Sequence, residues 1–242
     1  MAYHHELARQ GDWLFRWRSY LPLVALPLLG VALWQSGGGG GGQGTLLVSL
    51  GVALLGLAIR CATVGFVPGC TSGRNVVCQV ADTLNTTGMY SLLRHPLYLG
   101  NILIYVGVAA ATGVWWLALL VWLGGLIYYE RIIMAEERFL RESHGAAWKT
   151  WAAVTPALLP NPRNWHANER VFCPRTVLRR EYSGFFAIAL AFCVVVHVRL
   201  WMRAGSPQAD VRWLVFLVAA LVVYLTLRTL KHKTRLLHVD GR

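Results

Sequence analysis

The chain has 242 residues, 56% of them hydrophobic, with 11 Trp and 9 Tyr and only 14% charged. Soluble domains carry about 25% charged residues, so this composition excludes a disordered chain, a coiled coil and most soluble enzymes. The net charge of +12 falls between apolar blocks rather than along a basic stripe with interleaved aromatics, which speaks for membrane orientation and against nucleic acid.

A bilayer-crossing helix needs about 17–25 mostly apolar residues, and six segments of that kind are predicted. The expected fold is therefore all-α and polytopic, with about six transmembrane helices. The first segment covers residues 13–34 and contains Pro22 and Pro27, which a membrane helix tolerates near an end or at a kink. It shows no cleavable signal pattern. Six glycines follow at 37–42; without a Lys-Ser/Thr after them they read as a flexible turn, not a phosphate loop.

The second segment, 45–67, carries Arg60 near its end. The third and fourth, 97–111 and 114–129, are joined around Thr112 and Gly113 and form a tight antiparallel hairpin. The fifth is 182–201 and the sixth 212–227. On alternating sides, 20 of the 23 Lys and Arg share one side with both termini and the stretches 68–96 and 130–181. Positive loops stay cytosolic, so both termini are expected there, in an inner (cytoplasmic) membrane or the endoplasmic reticulum. Long loops of ordered composition are usually functional, which puts the chemistry at the cytosolic surface.

Two clusters carry chemical potential. In the first, Pro96 opens the third helix and pushes His95 into a capping position. The first-turn N–H groups and helix dipole favour an anion there, beside Arg94 and His95. Tyr98, Asn101, Tyr105 and Thr112 extend a polar stripe inward, which faces protein or a water-filled cavity. A plainer reading makes Arg94 and His95 headgroup anchors and Tyr98 part of an aromatic belt. The second cluster ends the fourth helix, with Glu130, Glu136 and Glu137. There the alternative is intrahelical pairing of Glu137 with Arg141 and of Arg138 with Glu142. The hairpin brings His95 and Tyr98 to the same surface as Glu130 and Glu137, a pocket suited to a zwitterion with a nearby cationic centre. The five cysteines lack C-x-x-C spacing, and His4, His5, His144, His166, His197, His232 and His238 are too scattered to propose a metal site.

The order Arg94-His95-Pro96-Leu97-Tyr98-Leu99-Gly100, an apolar helix pair, then Glu136-Glu137 resembles the isoprenylcysteine carboxyl methyltransferase and phospholipid methyltransferase group of membrane enzymes. Phe139-Leu140, His144-Gly145, Trp148, Trp151 and the prolines from Pro156 to Pro160 extend the resemblance over residues 84–162. It implies a cytosolic-side pocket for S-adenosylmethionine with Tyr90, Arg94, His95, Pro96, Tyr98, Gly100, Asn101, Glu136 and Glu137 as contacts, and a tail folding back over the site. It also implies a lipidic or prenylated methyl acceptor, for whose anionic headgroup Arg60, Arg74 and Arg131 are candidates; Arg60 can equally snorkel to the interface.

The corresponding division is an N-terminal membrane part with its linker (1–83), the motif region (84–162) and a C-terminal helix pair (163–242). That last pair departs from the simplest members of the group and either completes a lipid groove or mediates assembly. Two other readings stay open. A sterol-reductase-type membrane enzyme shares the hairpin and tail and would use NADPH. A non-catalytic membrane subunit or small transporter is disfavoured by the lack of internal repeats and by polar residues confined to one surface.

Overall fold

A computed structural model describes residues 2–17, 21–38, 40–68, 83–239 and 241. Among the described residues the chain is all-helical. The elements are α1 (Ala2–Trp17), α2 (Ala25–Gln35, preceded by a 3-10 turn, Leu21–Val24), α3 (Gln43–Phe66), α4 (Met89–Leu92), α5 (Pro96–Ala111), α6 (Trp115–Val154), α7 (Pro174–Ala204) and α8 (Val211–Lys233). Four of them, α3, α6, α7 and α8, are long and apolar enough to cross a membrane. With 16 residues, α5 reaches about 24 Å.

The expected first membrane segment is not one helix. Pro22 lies in the 3-10 turn and Pro27 in the first turn of α2, where the missing donors oppose a helix continuing from the preceding residues. With 11 residues, α2 covers only about half of a bilayer's apolar thickness. Helix α1 instead lies beside the far half of α6, where Gly11 meets the Arg131 carbonyl and Asp12 pairs with Arg138 at 2.7 Å.

The most extensive contact is that of α3 with α5, and it depends on glycine. A Cβ on Gly56 would sit 2.5 Å from the Gly100 carbonyl oxygen, and one on Gly100 would meet both that of Gly56 and the Arg60 stem. Such small-residue seams let membrane helices approach closely. Helix α7 packs against α3 and α5, and α8 lies along α7 with most of its surface uncovered.

Three turns gather at one end of the bundle: the glycine run, the Thr112–Val114 turn and the loop after α7. There the glycines do more than bend. Gly40 lies directly against Gly113, and Arg199, buried to 5% exposure, donates to the carbonyls of Ala111, Gly40 and Gly41. The opposite end holds α1, the start of α7 and the end of α8, where Lys231 sits over the Tyr182 ring at 5.4 Å.

Candidate active site

The site is assembled where α5 begins. Pro96 occupies the first helical turn and His95 is the N-cap, with φ −126° and ψ 62°. Its ring is almost fully buried, at 5% exposure. Across from it, α6 continues past the apolar region and presents two adjacent carboxylates. His95 Nε2 lies 3.2 Å from Glu137 Oε1, and Nδ1 lies 3.4 Å from Glu136 Oε2. Arg94 Nε donates to Glu137 Oε1 at 2.7 Å, and the Tyr98 hydroxyl donates to Glu136 Oε2 at 2.8 Å. Glutamates one residue apart on a helix point about 100° apart; the imidazole spans the gap by offering one nitrogen to each. The plainer pairing of Glu137 with Arg141 and of Arg138 with Glu142 gives way to these long-range partners and to the Arg138–Asp12 bridge.

Burial works against an imidazolium at His95, yet the hydrogen bonds and charges of Glu136 and Glu137 outweigh it and hold the pKa above the ordinary histidine value. The other groups around the ring are Tyr98, stacked at 5.6 Å, and Arg94, which shares Glu137. A raised folded-state pKa contributes stability that is complete below about pH 6.5 and is lost as pH rises through the raised value. Melting temperatures of detergent-solubilised protein between about pH 6 and pH 9 should therefore fall more steeply in the wild type than in His95→Gln. Parallel slopes would remove the buried imidazolium from the site.

The tail after Glu137 closes the cup. At Gly145 the backbone of α6 turns through φ 50° and ψ −113°, a conformation that glycine alone adopts readily, and the chain doubles back. Arg94 NH1 donates to the carbonyls of Ala152 and Thr155 at 2.9 and 2.6 Å. The N–H groups of Arg94 and His95 bond Pro156 and Ala157, and that of Asn161 bonds Leu92. Trp151 Nε1 donates to the Tyr90 carbonyl at 3.1 Å. Burial pushes the Tyr90 phenol above its ordinary range, so it stays neutral. Beside Tyr90 a cavity of about 20 Å³, bordered by Ala62, Thr63, Thr87 and Asn168, has room for one water.

The remaining expected site residues are placed differently. Gly100 belongs to the α3–α5 seam, not to the cup. Asn101 faces α3 and α6: its Oδ1 accepts from Arg60 NH1 at 2.7 Å and its Nδ2 donates to the Tyr129 hydroxyl at 2.9 Å. Arg60 is held by Glu181 through two bonds of 2.8 Å, so its fork is already engaged. Arg131 pairs with its neighbour Glu130 at 3.3 Å, on the face of α6 toward α1. Glu130 therefore stands outside the cup despite its helical register with Glu137. Arg74 lies outside the described residues. Glu181 was missed because the fifth segment was expected to begin one residue later. The available signal was the lone cation Arg60 within the otherwise apolar α3, since such a charge seeks a partner.

The fold and cluster together define a helical bundle with membrane-length helices and a polar cup of two carboxylates, an imidazole and a guanidinium at one end. Residues 44–147, under half of the chain, match the family model of phospholipid methyltransferases. Among its relatives, the cobalt-zinc-cadmium resistance protein CzcN of Cupriavidus metallidurans is 34% identical over 148 residues, covering 60% of this chain and 62% of that protein. The nickel-cobalt-cadmium resistance protein NccN of Alcaligenes xylosoxydans xylosoxydans is 36% identical over 77 residues, covering 32% of this chain and 36% of its own. The matches thus span less than two thirds of either relative. No solved structure matches the chain.

Proposed function

We propose that this protein transfers a methyl group from S-adenosylmethionine to a lipidic or prenylated acceptor at the cytosolic face of its membrane, with both termini on that side. The observation that carries the reading is the convergence of Arg94, His95 and Tyr98 with Glu136 and Glu137 inside a segment matching the methyltransferase family. The donor set suits the cofactor: with His95 protonated, two cations face two carboxylates, a neutral dipolar cluster matched to a zwitterionic amino-acid end. His95, Glu136, Glu137 and Tyr98 would hold that end, while Arg94 orients Glu137 and fastens the tail.

The cofactor supplies an electrophilic methyl group on a sulfonium. The chain contributes positioning and exclusion of water. The tail from Trp148 to His166, tied to Tyr90, Arg94 and His95, is the excluding element. An apolar acceptor reaches the cup from the bilayer between the helices, which is a physical reason to build such an enzyme from membrane helices. Prenylated cysteine, an amino-lipid, a lipid phosphate and an isoprenoid acid all have the required apolar tail and nucleophilic head.

The relatives' names favour one second reading: a membrane subunit of metal resistance with no transfer chemistry of its own. Thermal melts of the purified protein separate the readings. S-adenosylhomocysteine should raise the melting temperature by binding the folded state, and NADPH should not. A shift with NADPH alone turns the assignment to a reductase; no shift with either turns it to the subunit. Labelled methyl transfer into total membrane lipid, followed by mass analysis, then identifies the acceptor.

A further inference from the structure

The C-terminal helix pair lies outside the family-matched segment, yet one of its side chains is tied into the site. Glu181 on α7 is buried, with a side-chain exposure of 6%, and grips the Arg60 guanidinium of α3 through both carboxylate oxygens. The third contact of that guanidinium is decisive. Arg60 NH1 donates to Asn101 Oδ1 on α5, so the Asn101 amide has one allowed orientation, with its NH₂ toward α6. That NH₂ donates to the Tyr129 hydroxyl. The Tyr129 ring stacks on Tyr98 at 4.7 Å and 24°, and the Tyr98 hydroxyl ends on Glu136. Four helices thus meet in one directed chain of donors and rings ending at the cup.

We propose that Glu181 is a positioning residue of the site: by fixing Arg60 and Asn101 it sets the Tyr129 and Tyr98 rings and so the Glu136 side of the cup. This rests on the methyltransferase reading for its functional consequence, and it gives the last two helices a role, since α7 completes the site rather than only enlarging the bundle. An ion pair serving stability alone would have no need of the ordered amide. Arg60 with a lone carboxylate would satisfy the charge, whereas here the fork is divided between charge and direction.

The test uses the full chain in nanodiscs, labelled with 3-fluorotyrosine, with the Tyr98 and Tyr129 resonances assigned by Tyr98→Phe and Tyr129→Phe. In Glu181→Gln the Tyr98 signal should shift or broaden. S-adenosylhomocysteine affinity should fall at least about tenfold. Glu181→Asp, which keeps the charge and shortens the reach by one methylene, should lie between; it provides both readouts if the glutamine variant does not fold. Unmoved Tyr98 and Tyr129 signals, or unchanged affinity beside a lowered melting temperature, would reduce Glu181 to a structural ion pair and overturn the proposal. Absence of S-adenosylhomocysteine binding in the wild type would defeat the methyltransferase reading instead, and the fluorine spectra would then decide whether Glu181 orders the cup.

Discussion

Glu137→Gln is expected to cost about 3 kcal/mol of stability and to weaken S-adenosylhomocysteine binding by at least about tenfold. One oxygen, Glu137 Oε1, accepts from both Arg94 and His95. The side chains of Glu137 and Arg94 are each 15% exposed and that of His95 is 4% exposed. Neutralising the carboxylate therefore leaves Arg94 with only neutral carbonyl acceptors in a part-buried place, and the desolvation that the pair had offset becomes a net penalty. His95 keeps only Glu136, so its imidazolium is less favoured and the pH dependence of melting weakens with it. Glu136→Gln makes the useful comparison. Its side chain is 32% exposed, so its stability cost is smaller, while its loss of Tyr98 and His95 still disturbs the cup. Melting curves and calorimetric titration of both variants check the expectation. A Glu137→Gln protein that melts and binds like the wild type would mean the cup is not where the donor sits.

The parts of this site that could be read without coordinates are those tied together by short connections. The turn around Gly113 is so tight that α5 and α6 must run back along each other. Residues near the start of one helix are therefore carried to the far half of the other, and Tyr98 and Glu136 meet at 2.8 Å as that geometry requires. Proline at the first helical position gave the boundary of α5, because its missing N–H costs nothing there. Periodicity was less informative about depth. Glu130 and Glu137 share a face, but seven residues are about 10 Å along the axis, enough to take Glu130 out of the cup and leave it with Arg131.

Contacts closed by the tertiary fold were not legible. Arg60 and Glu181 are 121 positions apart, and nothing local to either identifies the other. Gly100 is a motif position whose use is the α3–α5 seam, a demand that arises only when Gly56 faces it. The glycine run suggested looseness, whereas Arg199 and Gly113 require backbone without side chains at that point. Hydropathy merged the end of α1 and α2 into one membrane segment because it averages over the 3-10 turn that contains Pro22.

The second large effect concerns closure rather than charge. Arg94→Lys keeps the cation, yet it should free the tail and lower donor affinity. The guanidinium reaches three acceptors at once: Glu137 at 2.7 Å, the Thr155 carbonyl at 2.6 Å and the Ala152 carbonyl at 2.9 Å. An ammonium on a shorter reach can keep Glu137 but cannot also span two carbonyls a turn apart on another segment. Each carbonyl left unsatisfied in a part-buried setting costs about 1–3 kcal/mol, and the backbone bonds from Arg94 and His95 to Pro156 and Ala157 lose the anchor beside them. Hydrogen exchange should therefore rise across residues 148–166 while the apolar body of α5 and α6 stays protected. Affinity for S-adenosylhomocysteine should fall because the closed state is less populated. In this variant the Glu137–cation pair survives, so the pH dependence contributed by His95 should persist, which separates it from Glu137→Gln. Wild-type exchange across 148–166 in Arg94→Lys would show that the tail holds itself shut and that Arg94 is not its fastening.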